Sequence, residues 1–353
     1  MGSGGIEIQE HVPLAPLTTL GVGGAARFFV RTANADEVAE GVAFAQKQKL
    51  PLFVLGGGSN LLVSDRGWNG LVLQIAAANV ERRESGGKVF FDIGAGADWD
   101  SFVAQAVAQN CAGIECLSGI PGSVGGTPVQ NVGAYGQEVS QTIVSVLAFD
   151  LIENRARELR AAECGFAYRS SIFNSTQRGR YIILRVTYAL VPGGPPALRY
   201  ADLQKHFAGQ DHAPSLAEVR NAVRAIRASK GMLLTPGDPD SRSAGSFFKN
   251  PVLTAAEFER FVKRASDRKL QVPSYPALAE QHKVSAAWLV ESSGFRKGYT
   301  KGNVGISSKH ALALVNRGGA TAAEVVALKQ EIQSGVEQAW GVRLEGEPVL
   351  VGF

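Results

Sequence analysis

Sulfur and imidazole are scarce in this chain of 353 residues, which has three cysteines, two methionines and five histidines. Cys111, Cys116 and Cys164 form an odd set without CxxC spacing, and the histidines are scattered, so neither a disulfide framework nor a metal site is indicated. Three buried thiols are the simpler expectation. Long apolar runs are missing too: no stretch approaches the roughly 18 to 20 consecutive apolar residues that cross a bilayer. The opening MGSGGIEIQE lacks the basic and apolar regions of a secretory signal, and its Met-Gly start fails the myristoylation pattern because Ile6 stands where Ser or Thr is required. A cytoplasmic protein without membrane association is therefore expected. The formal net charge is only +4, with Lys and Arg spread among acids and no basic run, which gives no nucleic-acid footprint but suits anionic small molecules.

Hydrophobic residues make up 45% of the chain and charged residues 19%, the balance of a soluble globular protein of two or three domains. Residues 34–48 read as a helix, with Asn34 or Asp36 as cap and an apolar stripe through Val38, Val42 and Ala45. LPLFVL, LLVS, GLVLQI and KVFFDIGAGADW read as strand segments, and DWDSFVAQAVAQN as a helix capped by Asp98 or Asp100. Further strands are expected at about 142–151 and 181–190. A helix opened by Ser215, with Glu218 in capping-box position, should stop at Gly231. Beyond residue 230, TAAEFERFVKRASDRK, SAAWLVESSG and TAAEVVALKQEIQSGVEQAWG read as helices, and HALALVNRGG and EPVLVGF as strands. No internal repeat is present, and the fold class is α+β.

Two glycine-rich stretches break this pattern. LGGGSN (55–60) is neither a Walker A loop nor GxGxxG. It is either a structural turn or a nest in which successive amides, the Ser59 hydroxyl and the Asn60 amide hold an anion. CAGIECLSGIPGSVGGTPVQNVGAYG (111–136) is too long for an ordinary turn and too apolar for a solvated linker. It adds more glycines, with Ser123 and Thr127 as hydroxyl donors and Pro121 and Pro128 to stiffen the backbone. Two separated nests suit a diphosphate held from both sides, with the structural turn as the competing reading.

These residues resemble the UDP-N-acetylenolpyruvoylglucosamine reductases, the MurB family. The likeness runs from PLTTLGVGGAARFF through LGGGSNLLVSD, GIECLSGIPGSVGGTPVQNVGAYG, FAYRSSIF, AGSFFKNP and AAWLVESSGFRKG to EPVLVG. It implies a two-part FAD-binding fold of the p-cresol-methylhydroxylase/vanillyl-alcohol-oxidase (PCMH/VAO) type plus a C-terminal α+β domain covering the substrate. The corresponding divisions are 1–80 and 81–230 for the FAD-binding subdomains and 231–341 for the substrate domain, with a strand at about 342–353 able to return to the first. By the same resemblance, non-covalent FAD would be held by Gly56, Gly57, Gly58, Ser59 and Asn60. Gly122, Ser123, Gly125, Gly126 and Thr127 would serve from the second stretch, with Ala134, Tyr135 and Gly136 near the flavin.

The reaction implied is the NADPH-driven reduction of UDP-N-acetylglucosamine enolpyruvate, in which hydride reaches C3 and the resulting enolate is protonated at C2. Ser246 matches the proton donor, Arg169 the cation that stabilises the enolate, and Glu347 the catalytic glutamate. A bare carboxylate would repel an enolate, so Glu347 must be protonated or paired. Glu345 would share its face in a strand. Some relatives have Glu-Val-Arg where this chain has Glu347, Pro348 and Val349, which removes one cation. Substrate contacts carried over are Tyr200, Lys230, Asn250, Tyr275 and Lys297, with His310 where relatives place glutamine. Tyr200 resembles the tyrosine-bearing loop of one branch of the family. A monomer is expected. Two other readings compete: a flavin oxidase of the same superfamily, and a nucleotide-binding module without chemistry.

Overall fold

The computed structural model describes residues 5–276 and 281–353. Its contacts form two units: residues up to Val12, Ala26–Gly58 and Trp68–Ser229 in the first, and Pro13–Ala25, Ser59–Gly67 and Lys230–Phe353 in the second. The first unit spans residue 80, and two short N-terminal segments group with the C-terminal residues.

The first unit holds two main sheets. One has the strand order Gln9–Pro13, Ala25–Thr32, Trp68–Ile75, Leu52–Leu55. Its last three strands are parallel, with Phe29 beside Val72 and Val54 beside Leu73. The central strand is a nearly continuous apolar run, as expected for a strand covered on both faces. Helix Ala35–Lys47 starts where Asn34 accepts the Glu37 amide at 2.9 Å, and its Val38, Val42 and Ala45 are buried.

The second sheet is antiparallel, ordered Arg155–Arg160, Ile143–Asp150, Tyr181–Pro192, Lys88–Gly94, Val80–Ser85. Helix Trp99–Ala108 packs on it through Trp99 and Phe102, whose rings lie 5.7 and 5.2 Å from that of Tyr188. Both outer strands are rich in charge, which protects the edges from pairing with other chains. At the end of strand Ile143–Asp150, Arg180 grips the buried Asp150 carboxylate at 2.7 Å and holds its pKa down to about 2. Helix Leu216–Ser229 begins at Ser215 with the Glu218 bonds of a capping box, and its Arg220 and Arg224 converge on Asp100.

In the second unit, strands Ser243–Ser246, Ala313–Asn316, Val304–Ile306 and Thr300–Lys301 form an antiparallel sheet. Helices Ala255–Asp267, Ala286–Ser292 and Ala322–Trp340 share its core, where Phe261, Trp288 and Trp340 meet edge to face or tilted. Asp65 receives the amides of Ala322 and Ala323 at 2.7 and 2.9 Å, so the 59–67 segment caps the longest helix. Strand Val349–Val351 runs parallel to Leu61–Val63. Among the described residues no helix is long and apolar enough to cross a membrane, and no group of His, Cys, Asp or Glu could hold a metal ion.

Candidate active site

Gly56, Gly57 and Gly58 leave the C-terminal end of strand Leu52–Leu55. A Cβ on Gly57 would lie 2.5 Å from Gly122 Cα, and one on Gly56 would lie 2.9 Å from Ser123 Oγ. The two glycine stretches therefore cross backbone on backbone, which any side chain would prevent. Among the described residues, the amides of Gly57, Gly58, Gly122 and Ser123 donate to no protein acceptor. Four unengaged donors at one crossing are the makings of an anion nest.

The rest of the second stretch is engaged within the fold. Amides of Gly125, Gly126 and Thr127 donate to Ala95, Ser123 and Val124 at 2.8, 3.0 and 3.1 Å. The Thr127 hydroxyl is buried, 2.8 Å from the Val124 carbonyl and 2.6 Å from the Tyr188 hydroxyl. The Thr127 hydroxyl thus helps to close its own turn. Gly125 contributes by its small size, since a Cβ there would meet that of Ala95 at 2.6 Å.

Farther along, Gly133–Ala134 and Gln137–Glu138 pair around a turn in which Tyr135 and Gly136 have φ of 49° and 84°. Positive φ at both positions is the mark of a tight hairpin turn. The Tyr135 ring stands edge-on to that of Tyr200, 5.3 Å between centroids, and Tyr200 opens helix Ala201–Phe207. Arg227, buried on helix Leu216–Ser229, hydrogen-bonds the Tyr135 side chain and donates from Nε to the Gly119 carbonyl at 3.0 Å. Arg169 lies beside the same hairpin: a Cβ on Gly133 would be 3.5 Å from its Nη1. Its backbone is left-handed, φ 53°, and is held by Asn174 Nδ2 on its carbonyl and by Asn131 Nδ2 on that of Ala167. Arg169, Tyr135 and Tyr200 are therefore gathered within the first unit.

In the second unit, Ser246 Oγ lies 3.1 Å from His310 Nε2. The Phe247 carbonyl accepts the Glu347 amide at 2.9 Å, and Asn60 Nδ2 donates to the Glu347 carbonyl at 3.4 Å. Ser246, His310, Glu347 and Asn60 are thus neighbours. Glu345 and Glu347 precede the last strand rather than lying in it, and their surroundings differ: Glu345 is exposed, 4.0 Å from Lys249, whereas Glu347 is half-buried. Other expected substrate residues are less concentrated. Asn250 Oδ1 accepts the Ala286 amide at 2.9 Å and so opens a helix. Lys230 is half-buried and Lys297 exposed. The Tyr275 side chain lies outside the described residues.

Asn131 and Arg227 were not singled out from sequence. Arg227 was legible: at fourfold spacing it continues the Val219–Val223 stripe, so a cation falls on an apolar helix face.

A nest of free amides suits a diphosphate, and the match of residues 26–155 to an FAD binding domain makes the class a flavoprotein. Residues 238–351 match the C-terminal domain of UDP-N-acetylenolpyruvoylglucosamine reductase. The chain is 49% identical to that reductase from Thermobifida fusca, over 97% of this chain and 98% of the relative. It is 44% identical to the one from Streptomyces avermitilis, over 98% and 96%. The crystal structure of the Thermus caldophilus reductase superposes with a TM-score of 0.66 at 25% identity, covering 98% of each chain. The chain belongs to the UDP-N-acetylenolpyruvoylglucosamine reductase family, and its fold is the α+β FAD-binding fold. The four unengaged amides fit the diphosphate of FAD.

Proposed function

We propose that the chain reduces UDP-N-acetylglucosamine enolpyruvate to UDP-N-acetylmuramate, with FAD as cofactor and NADPH as reductant. When bound, the flavin supplies the hydride that reaches C3 of the enolpyruvyl group. The amides of Gly57, Gly58, Gly122 and Ser123 would hold its diphosphate, with Gly56, Ser59, Asn60, Gly125 and Gly126 shaping that cradle and Ala134, Tyr135 and Gly136 lying nearer the ring.

The chain's own part in the chemistry is charge and proton handling. Arg169 receives the substrate carboxylate, where its fixed cation stabilises the charge that spreads from C2. Ser246 gives its proton to C2. An alcohol is a weak acid, but a carbanionic centre is a strong enough base to take the proton, and the His310 imidazole can return one to Ser246. Glu347, protonated or paired, would hydrogen-bond the carboxyl end of the enolate. The observation that carries this reading is the Ser246–His310 hydrogen bond of 3.1 Å, which gives the serine a proton source.

Tyr200, Lys230, Asn250, Tyr275 and Lys297 are the proposed contacts to the UDP-sugar, with Tyr200 on the tyrosine-bearing loop of one family branch. The two sheets of the first unit would be the FAD-binding subdomains, 1–80 and 81–230. We place the protein in the cytoplasm as a monomer.

The test follows flavin absorbance anaerobically. Bleaching by NADPH and recovery on adding UDP-N-acetylglucosamine enolpyruvate, with UDP-N-acetylmuramate formed, is the expected result. Flavin that stays reduced until oxygen enters would replace this reading with an oxidase. Steady-state kinetics should be ping-pong, with NADPH and the sugar nucleotide competing for one pocket.

A further inference from the structure

Glu115 is a buried acid that the chemistry above does not use. Its side chain is wholly buried, and among the described residues no Lys or Arg pairs with it. All of its contacts are N–H donors. Oε2 accepts the Gly113 amide at 2.8 Å; Oε1 accepts Gln137 Nε2 and the Ala197 amide, both at 2.8 Å. Gln137 Oε1 in turn accepts the Cys116 amide at 2.8 Å, and Cys116 Sγ donates to the Ala197 carbonyl at 3.2 Å. The Cys116 thiol, pushed up to about 12 by burial, remains a donor. Ala197 is therefore gripped at both its N–H and its C=O.

What these bonds reach is more informative than the bonds themselves. Gln137 follows directly on the Tyr135–Gly136 turn, and Ala197 stands three residues before Tyr200. On the far side of Tyr200, the amides of Leu203 and Gln204 donate to its carbonyl at 3.0 Å, and Leu203 is buried against Cys116, Val219 and Val223. One carboxylate thus ties together the bases of the two segments whose tyrosine rings meet at 5.3 Å. Packing alone would be served by an apolar residue at 115, because burying an acid is costly unless each oxygen is satisfied.

We infer that Glu115 is a positioning residue: it fixes the 197–200 segment against the 134–137 hairpin and so sets the position of Tyr200 over the sugar nucleotide. The functional half of this inference rests on the reading of Tyr200 as a substrate contact. Both oxygens must accept, so glutamine cannot replace glutamate: whichever way its amide turns, an NH₂ meets at least one N–H.

The test uses the full-length holoenzyme and the variants Glu115→Gln, Tyr200→Ala and the double variant. Hydrogen exchange of the peptide holding Ala197 should quicken about tenfold in Glu115→Gln, as expected for one lost charge-assisted bond. The KM for UDP-N-acetylglucosamine enolpyruvate should rise by a similar factor. In the double variant it should be no higher than in Tyr200→Ala alone, since Glu115 would act through that tyrosine. Unchanged exchange at Ala197 would overturn the tie; additive effects on KM would overturn its action through Tyr200. An unchanged KM in Tyr200→Ala would remove the substrate reading of that residue while the exchange result still stands. Should Glu115→Gln fail to fold, Ala197→Pro deletes the outer donor alone, at a half-buried position; exchange is then read at the amides of residues 198–200, where no quickening would overturn the tie, and the KM outcomes apply unchanged.

Discussion

Ser246 Oγ and His310 Nε2 are 3.1 Å apart although 64 residues separate them in the chain. For His310 to resupply the serine, the imidazole must carry a proton at Nε2 and donate it to Oγ, which leaves the serine's own proton free for C2. Ser246→Ala should leave bleaching of the flavin by NADPH near normal and slow its recovery with substrate about 10²- to 10⁴-fold, the usual range for a lost proton donor. His310→Ala should slow the same half-reaction less, and His310→Gln, which keeps an N–H donor to the serine, less again. Equal slowing of both half-reactions in Ser246→Ala would refute the proton-donor role.

Crossing of the glycine stretches makes Gly57 intolerant of even a methyl group. Its added Cβ would press on Gly122 Cα at 2.5 Å, backbone against backbone. Gly57→Ala should weaken FAD binding on the order of 10- to 100-fold, as overpacking of about 1–3 kcal/mol would. Gly86→Ala is the control: φ there is positive, 57°, but nothing lies within 4 Å of an added Cβ, so flavin titration should be unaffected.

Buried thiols bear on how the flavin is held. Cys111, Cys116 and Cys164 are buried, and burial raises all three thiols, the latter two to about 12. None offers a ready thiolate for attachment to the flavin. Denaturing the yellow protein with acid should therefore release all its FAD into the supernatant. Flavin retained on the precipitated chain would refute this.

Acid stability should depend on Asp150. Its ordinary value of 3.8 is lowered to about 2, chiefly by the Arg180 guanidinium, with the amides of Ile152 and Glu153 assisting against burial. A depressed folded-state value means that the unfolded chain binds the proton first, so the stabilisation is full above about pH 4 and is lost as pH falls towards 2. Asp150→Asn should be less stable at neutral pH and show a flatter loss across that window. Urea melts at a series of pH values would reveal parallel curves if the ion pair contributed nothing.

Capped helices were legible because their signals are local. Asn34 with Glu37, Ser215 with Glu218 and Thr321 with Glu324 lie three residues apart and make the bonds their spacing suggests. The outer strands Val80–Ser85 and Arg155–Arg160 were not read, because neither carries the apolar alternation of a half-buried strand. Helix Ala201–Phe207 is seven residues long with one buried side chain, too little for a periodic signal. Of the proposed site, the motifs pointed to Ser246, Arg169 and Glu347, but not to the company they keep. His310 beside Ser246 is a tertiary fact, as is the internal use of the Thr127 hydroxyl, which in sequence looks like any other exposed donor.

The parallel pairing of Leu61–Val63 with Val349–Val351 links opposite ends of the sequence. On a ribosome, residues 61–63 emerge almost a whole chain length before their partner strand is made, and the segment that holds Asn60 waits with them. The first unit, by contrast, has its sheets complete once residue 192 has left the exit tunnel. Synthesis should therefore pass through a stage in which a folded first unit carries 59–67 as an unsatisfied loop, its strand edge open to wrong partners until translation supplies the right one.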